Sequence, residues 1–249
     1  MNLIGKNAKK ASIERIDTKL KNKVLKKYSS LLGKEKNSIL RANKKDTNFA
    51  LKNGLRKNFI DRLTINEEKL QNIKKSINKI IKLKDPVDKT MEKWSRPNGL
   101  KINKVSIPIG VIGVIYESRP NVTSDVASLC FKSGNAVILK GGSEAINTNK
   151  TLAKLFRKAL KTNKVNQNFI QFVDSKDRKM VHFMLSKMKN YIDVIIPRGG
   201  KSLVKRVQKF SDVPIIGHLE GICHTFVDKD AEIKMAKNLI YNAKLRNTS

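Results

Sequence analysis

The sequence predicts an α/β protein in which a block of helices precedes a parallel, doubly wound sheet. Three observations carry that prediction. Between Ala8 and Leu83, apolar residues recur at steps of three and four. After Pro108, apolar runs of strand length alternate with helical patterns, as βαβ units do. Two of those runs end on a basic residue followed by paired glycines, in "LKGGSEA" and "IIPRGGKSLV".

The elements follow in order. Ile13, Ile16, Leu20, Val24, Tyr28 and Leu31 fall on one helix face, and Leu70, Ile73, Ile77 and Ile80 repeat the pattern. Asp85-Pro86 ends the helical region, because a residue before proline leaves the α conformation. "RPNGLKINKVSIP" changes the period to two, with Leu100, Ile102 and Lys104 on one side, which reads as an extended hairpin or bridging strand. "IGVIGVIY" is apolar throughout, the mark of a strand buried on both faces. "SDVASLCFKSG" reads as a helix capped by Ser124 and stopped at Gly134. Then come "NAVILK" (strand), "SEAINTNKTLAKLFRKAL" (helix), "FIQFVD" (strand), "DRKMVHFMLSKM" (helix), "YIDVIIP" (strand) and "GGKSLVKRVQKF" (helix). "VPIIGH" and "ICHTFVD" read as strands, and "AEIKMAKNLIYNAK" as the last helix.

Composition narrows the function classes. The net charge of +32 invites a nucleic-acid partner. The excess is mostly lysine, 42 against 11 arginines, and is spread over every segment, while aromatics are only 6%. Nucleic-acid sites favour arginine forks and stacking rings, so the lysines read as solvated faces and no specific nucleic-acid partner is expected. No apolar run reaches membrane-spanning length, and no signal peptide is evident, so a cytoplasmic location is expected. Cys130 and Cys223 suggest no disulfide framework, and His182 and His218 have no metal-ligand spacing.

Three strand ends carry candidate chemistry, each with a plainer alternative. In "LKGGSEA", Lys140 ends a strand, Gly141 and Gly142 allow close backbone approach, and Ser143 could cap a helix whose N-terminus faces an anion. A simple strand-to-helix turn explains the same residues. "IIPRGGKSLV" repeats the logic with Arg198, Gly199 and Gly200, and two such turns suit a ligand with more than one phosphate, such as a dinucleotide. The G-x-G-x-x-G fingerprint is absent. In "YESRPNVT", Arg119 offers a fork for phosphate or carboxylate and Asn121 an amide donor for an oxyanion, although turn chemistry alone would use Pro120 and Asn121. Cys130 reads as core, and the adjacent Cys223 and His224 point to opposite faces of a strand, which favours a structural reading.

"PIGVIGVIYESRPNVTSDVASLCFKSGNAVILKGGSEA", "IDVIIPRGGKSLV", "GHLEGICHTFVDKDA" and the N-terminal "NGLRKNFIDRLTINEEKL" closely resemble the γ-glutamyl phosphate reductase (glutamate-5-semialdehyde dehydrogenase) family of the aldehyde dehydrogenase superfamily. The resemblance implies a variant Rossmann parallel sheet, NADPH as cofactor, and reduction of L-glutamyl 5-phosphate to L-glutamate 5-semialdehyde with release of phosphate, in proline biosynthesis. In that chemistry a cysteine thiolate displaces phosphate and the resulting thioester accepts hydride. By motif match, Asn121 resembles the oxyanion asparagine. Lys140, Gly141, Gly142, Ser143 and Glu144 resemble the segment that holds the adenosine ribose and 2′-phosphate. Arg198, Gly199 and Gly200 resemble the turn near the pyrophosphate, and Arg119 is a candidate for the acyl phosphate. The same resemblance divides the chain into an N-terminal helical region (1–96), a cofactor-binding α/β domain with its bridging segment (97–217) and the start of a catalytic domain (218–249). By register the nucleophilic cysteine belongs beyond Ser249. The chain is therefore expected to be an N-terminal fragment, truncated before the rest of the catalytic domain, inactive alone and part of a homo-oligomer when full length. The alternatives are a basic nucleic-acid-binding protein and a non-catalytic cofactor-binding module.

Overall fold

The computed structural model describes residues 1–217, 219 and 223–245. They form two units, Met1–Gly217 and the residues described within His218–Ser249.

In the first unit, helices α1 (Asn2–Ser12), α2 (Thr18–Lys34), α3 (Lys36–Lys52), α4 (Lys57–Leu63) and α5 (Glu67–Lys82) come first. The helical face that begins at Ile13 is interrupted. Ile13 is 78% exposed, and the Asp17 side chain accepts from the Leu20 N–H to start α2 afresh. Strands β1 (Thr90–Ser95) and β2 (Lys101–Val105) then pair antiparallel as a hairpin; the segment read as extended supplies β2 and the turn, while β1 lies just before it.

The sheet follows as β3 (Val111–Tyr116), α6 (Pro120–Lys132), β4 (Ala136–Lys140), α7 (Ile146–Thr162), β5 (Ile170–Phe172), α8 (Lys179–Ser186), β6 (Val194–Arg198) and α9 (Lys201–Phe210). Its order is β5-β4-β3-β6, all parallel. The order reverses at β3: the chain steps outward through β4 and β5, then crosses back to β6. Right-handed crossovers therefore put α6 and α7 on one face and α8 and α9 on the other. Every residue of β3 and β4 is buried, as their unbroken apolar runs require.

The core lies where α2, α5, α6 and α7 meet the sheet. Tyr28 and Phe156 rings sit 4.4 Å apart, and Phe131 packs edge-on to Phe156 and Phe169. Of the 42 lysines, only Lys21, Lys132 and Lys140 are buried among the described residues. Lys21 pairs with Asp85 at 2.9 Å, which anchors the end of the helical block.

Several boundaries differ from expectation. Ser124 caps nothing: α6 already begins at Pro120, and the Ser124 hydroxyl is buried 2.6 Å from the Tyr28 hydroxyl. Proline fits the first helical turn, where its missing N–H costs no bond. Gly134 does follow the helix, at φ +76°, which glycine adopts without strain. "VPIIGH" contributes only a parallel bridge between Ile195 and Ile215, and its last residue, His218, lies outside the described residues. Cys223–Asp228 of "ICHTFVD" form no strand, and Ile222 is also outside the described residues.

In the second unit, Glu232 caps α10 (Ile233–Ile240) by accepting from the Lys234 and Met235 N–H groups, and a π-helical turn, Tyr241–Leu245, follows. Lys244 Nζ donates to the Cys223 carbonyl at 2.7 Å.

Candidate functional site

A reversal of strand order leaves a crevice outside the carboxyl ends of the strands, where the connecting loops diverge. Here the reversal lies between β3 and β6. A cavity of about 400 Å³ opens at that point, lined at the end of β3 and just beyond it by Tyr116, Glu117 and Ser118, and at the end of β4 and just beyond it by Lys140, Gly141, Gly142, Ser143 and Glu144. Lys176 and Arg178 enter from the loop after β5, Ser202, Leu203 and Arg206 from α9, and Phe59 from α4.

The first glycine turn is a tightly built structure. Lys140 is 5% exposed, and its ammonium donates to the Gly141 carbonyl at 3.0 Å. Burial lowers its pKa, which Glu144 and Asp177 partly oppose. A Cβ on Gly141 would clash with Asn149 Nδ2 and meet the Tyr116 ring at 3.0 Å, and one on Gly142 would sit 2.7 Å from Ser118 Oγ. Only glycine lets the chain pass here. Beneath the turn, Tyr116, Thr123 and Asn149 form a buried hydroxyl–hydroxyl–amide chain at 2.7 and 2.9 Å. Ser143 does not cap α7. Its hydroxyl donates to Glu144 at 3.0 Å, and a 3-10 turn, Ser143–Ala145, intervenes. Burial opposes ionisation of Glu144, yet its own backbone N–H, the Ser118 and Ser143 hydroxyls and the nearby Arg178 hold the carboxyl below the usual range.

The N-terminus of α7 already holds an anion. Asp46, 2% exposed on α3, accepts from the Thr148 N–H and hydroxyl at 2.8 and 2.6 Å and from the Asn147 N–H and side-chain amide at 3.2 and 2.7 Å. A protein carboxylate thus stands where the sequence suggested a ligand phosphate. The signal was present: Ile39, Asn43, Asp46 and Ala50 share the buried face of α3, and two of the four are polar.

The second turn is open. Arg198, Gly199 and Gly200 are all exposed, and the residue at the N-cap of α9 is Gly200, which has no side chain to cap it. The Gly200 N–H donates to Glu117 Oε1 at 2.9 Å.

The third strand end faces elsewhere. Arg119 and Asn121 are exposed. Asn121 lines a separate cavity of about 300 Å³ with Arg62, Thr64, Lys69, Ser76 and Asp125, and its amide donates to Asp125 at 3.3 Å. Burial raises the Asp125 pKa, against the hydrogen bonds from Ser76 and Asn121. The first glycine turn therefore lines this crevice, the second borders it through the Gly200–Glu117 hydrogen bond, and Asn121 lines another. Cys130 is buried, which pushes its thiol up to about 12, and Cys223 is exposed. Among the described residues no cluster suits a metal ion, and no helix is long and apolar enough to cross a membrane.

No protein-family model matches the chain. A γ-glutamyl phosphate reductase of Thermodesulfovibrio yellowstonii is 43% identical over 244 residues, 97% of this chain and 58% of its own length. One of Allorhizobium ampelinum is 48% identical over 228 residues, 92% of this chain and 53% of its own length. This chain is a relative of the γ-glutamyl phosphate reductases. It spans between half and three fifths of the length of those curated relatives. A crystal structure of γ-glutamyl phosphate reductase from Thermotoga maritima matches at TM-score 0.92 and 37% identity, covering 98% of this chain and 59% of its own. The Saccharomyces cerevisiae γ-glutamyl phosphate reductase matches at 0.80 and 32%, over 97% of this chain and 62% of its own. A probable aldehyde dehydrogenase of Listeria monocytogenes, 16% identical, shares the fold at TM-score 0.63 over 87% of this chain and 45% of its own. The expected aldehyde dehydrogenase-like fold and the resemblance to γ-glutamyl phosphate reductase are both borne out.

Proposed function

We propose that this chain is part of an NADPH-dependent reductase that converts L-glutamyl 5-phosphate to L-glutamate 5-semialdehyde and phosphate in proline biosynthesis. The supporting observation is the crevice at the strand-order reversal, in a chain 43–48% identical to γ-glutamyl phosphate reductases. Its donor set suits a phosphorylated dinucleotide. Lys140, Lys176, Arg178 and Arg206 face Glu117 and Glu144, so cations exceed carboxylates. The open Arg198–Gly200 turn at the start of α9 would hold the pyrophosphate. The Lys140–Glu144 turn would hold the adenosine ribose, and Arg178 beside Glu144 favours a 2′-phosphate over a bare hydroxyl.

When bound, NADPH supplies the hydride. The chain's own residues orient the reactants and steady charge. Asn121 spends one amide N–H on Asp125 and keeps the second for an acyl oxyanion. Arg119, two residues earlier and exposed, would meet the acyl phosphate. Neither cysteine here is taken as the nucleophile. Cys130 is buried with a raised pKa, which starves it of thiolate, and Cys223 does not follow the α10 helix as the family's pattern requires. The 249-residue chain alone is therefore proposed to be inactive. Residues 1–96, 97–217 and 218–249 would serve as helical region, cofactor-binding domain and start of the catalytic domain, in a cytoplasmic homo-oligomer.

Titration of the 249-residue chain with NADPH and NADH, followed by nicotinamide fluorescence, tests the cofactor reading. Saturable binding with preference for NADPH is expected. No binding of either nucleotide would overturn it.

A further inference from the structure

Glu117 follows the last residue of β3 and lines the crevice, and its carboxylate lies where the open turn would receive an anion. The Gly200 N–H donates to its Oε1 at 2.9 Å, and a Cβ on Gly199 would sit 2.6 Å from its Cδ. The side chain thus rests against the two residues whose lack of side chains opens the start of α9. α7 offers a contrast. Its N-terminal anion, Asp46, is buried and makes four hydrogen bonds. Glu117 is exposed, and among the described residues its carboxylate accepts this one hydrogen bond. One anion is fixed and the other is held loosely.

We propose that Glu117 is an affinity-determining residue, an internal anion that occupies the pyrophosphate position and is displaced when a dinucleotide binds. This rests on the cofactor reading above and deepens it. Two negative groups cannot share one helix N-terminus without repulsion, so binding must break the Glu117–Gly200 hydrogen bond and move the carboxylate out of the way. The crevice is therefore closed to weak anions and opens to a ligand with additional anchors at Lys140 and Arg178.

The test measures affinity by nicotinamide fluorescence and by calorimetry, for the full 249-residue chain and its E117Q and E117A variants. The probes are NADPH and adenosine 2′-monophosphate, which lacks the pyrophosphate. Thermal unfolding checks that each variant folds, and the exposure of Glu117 predicts that both do. Both variants are expected to bind NADPH about three- to tenfold more tightly, with affinity for adenosine 2′-monophosphate unchanged. NADPH affinity that is unchanged or weaker in both variants overturns the proposal while leaving the cofactor reading intact. An equal gain for both probes also overturns it, since the effect would then be general charge rather than a contest for the pyrophosphate position. If the wild-type chain and both variants bind neither probe, the cofactor reading fails and the proposal falls with it.

Discussion

The turns at Lys140–Glu144 and Arg198–Gly200 look alike as sequence: a buried strand, a basic residue, two glycines and a helix. In the folded chain they are opposites. Lys140 is buried, its glycines are walled by Asn149, Tyr116 and Ser118, and the following helix is capped by Asp46. Arg198 is exposed, and a Cβ on Gly200 would meet nothing nearer than Glu117 Oε1 at 3.5 Å. The first turn is held by packing and presents fixed side chains to the crevice. The second has a helix N-terminus to offer. Identical local patterns can thus divide the work of binding, and what separates them is contributed by residues distant in sequence.

Four tests would sharpen or break that contrast. The largest effect belongs to Asp46→Ala. It strips the α7 N-terminus of its carboxylate and leaves buried donors unpaired, so unfolding in urea should show a loss of about 3 kcal/mol. Next comes the paired comparison of glycines. Gly141→Ala forces a Cβ against Asn149 and Tyr116 and should cost about 2 kcal/mol, whereas Gly200→Ala should stay within about 0.5 kcal/mol. Equal costs would erase the distinction between the turns. Third, Lys140→Met keeps the buried stem but removes the ammonium. NADPH affinity should fall about tenfold in calorimetry with little change in thermal stability.

The smallest effect concerns acid. Glu144 and Asp85 both hold their carboxyls below the ordinary range: for each, hydrogen bonds overcome the burial that would raise it. A folded pKa below the unfolded one adds stability above the unfolded value, near pH 4, and that stability is lost as the pH falls through the folded value. Denaturation midpoints should therefore decline below about pH 5. The Glu144→Gln chain should decline less steeply than wild type. An identical acid limb in the two proteins would contradict the hydrogen-bonded role of Glu144.

Much of the architecture was legible because it is written in local periodicity. The unbroken apolar runs of β3 and β4 and the helical steps at Leu70, Ile73, Ile77 and Ile80 need no distant partner to be read. Boundaries were less legible, because caps depend on tertiary competition. Ser124 has a capping side chain but sits inside α6, bound to Tyr28 ninety-six residues away in sequence. Ser143 likewise yields to Asp46, which lies 101 residues before Asn147. Of the crevice, the strand-end residues Lys140–Glu144 were visible from their glycines. Glu117, Arg178 and Arg206 are not legible in the same way, since ordinary charged residues in a lysine-rich chain carry no local mark of facing a cavity.

The most direct measurement is a crystal structure of the chain with NADPH bound. The pyrophosphate should lie against Gly199 and Gly200 at the start of α9, with Glu117 moved off the Gly200 N–H, the adenosine ribose at Lys140–Glu144, and Asp46 still capping α7. A phosphate on the α7 N-terminus with Asp46 displaced, or a dinucleotide bound away from the β3–β6 crevice, would contradict it.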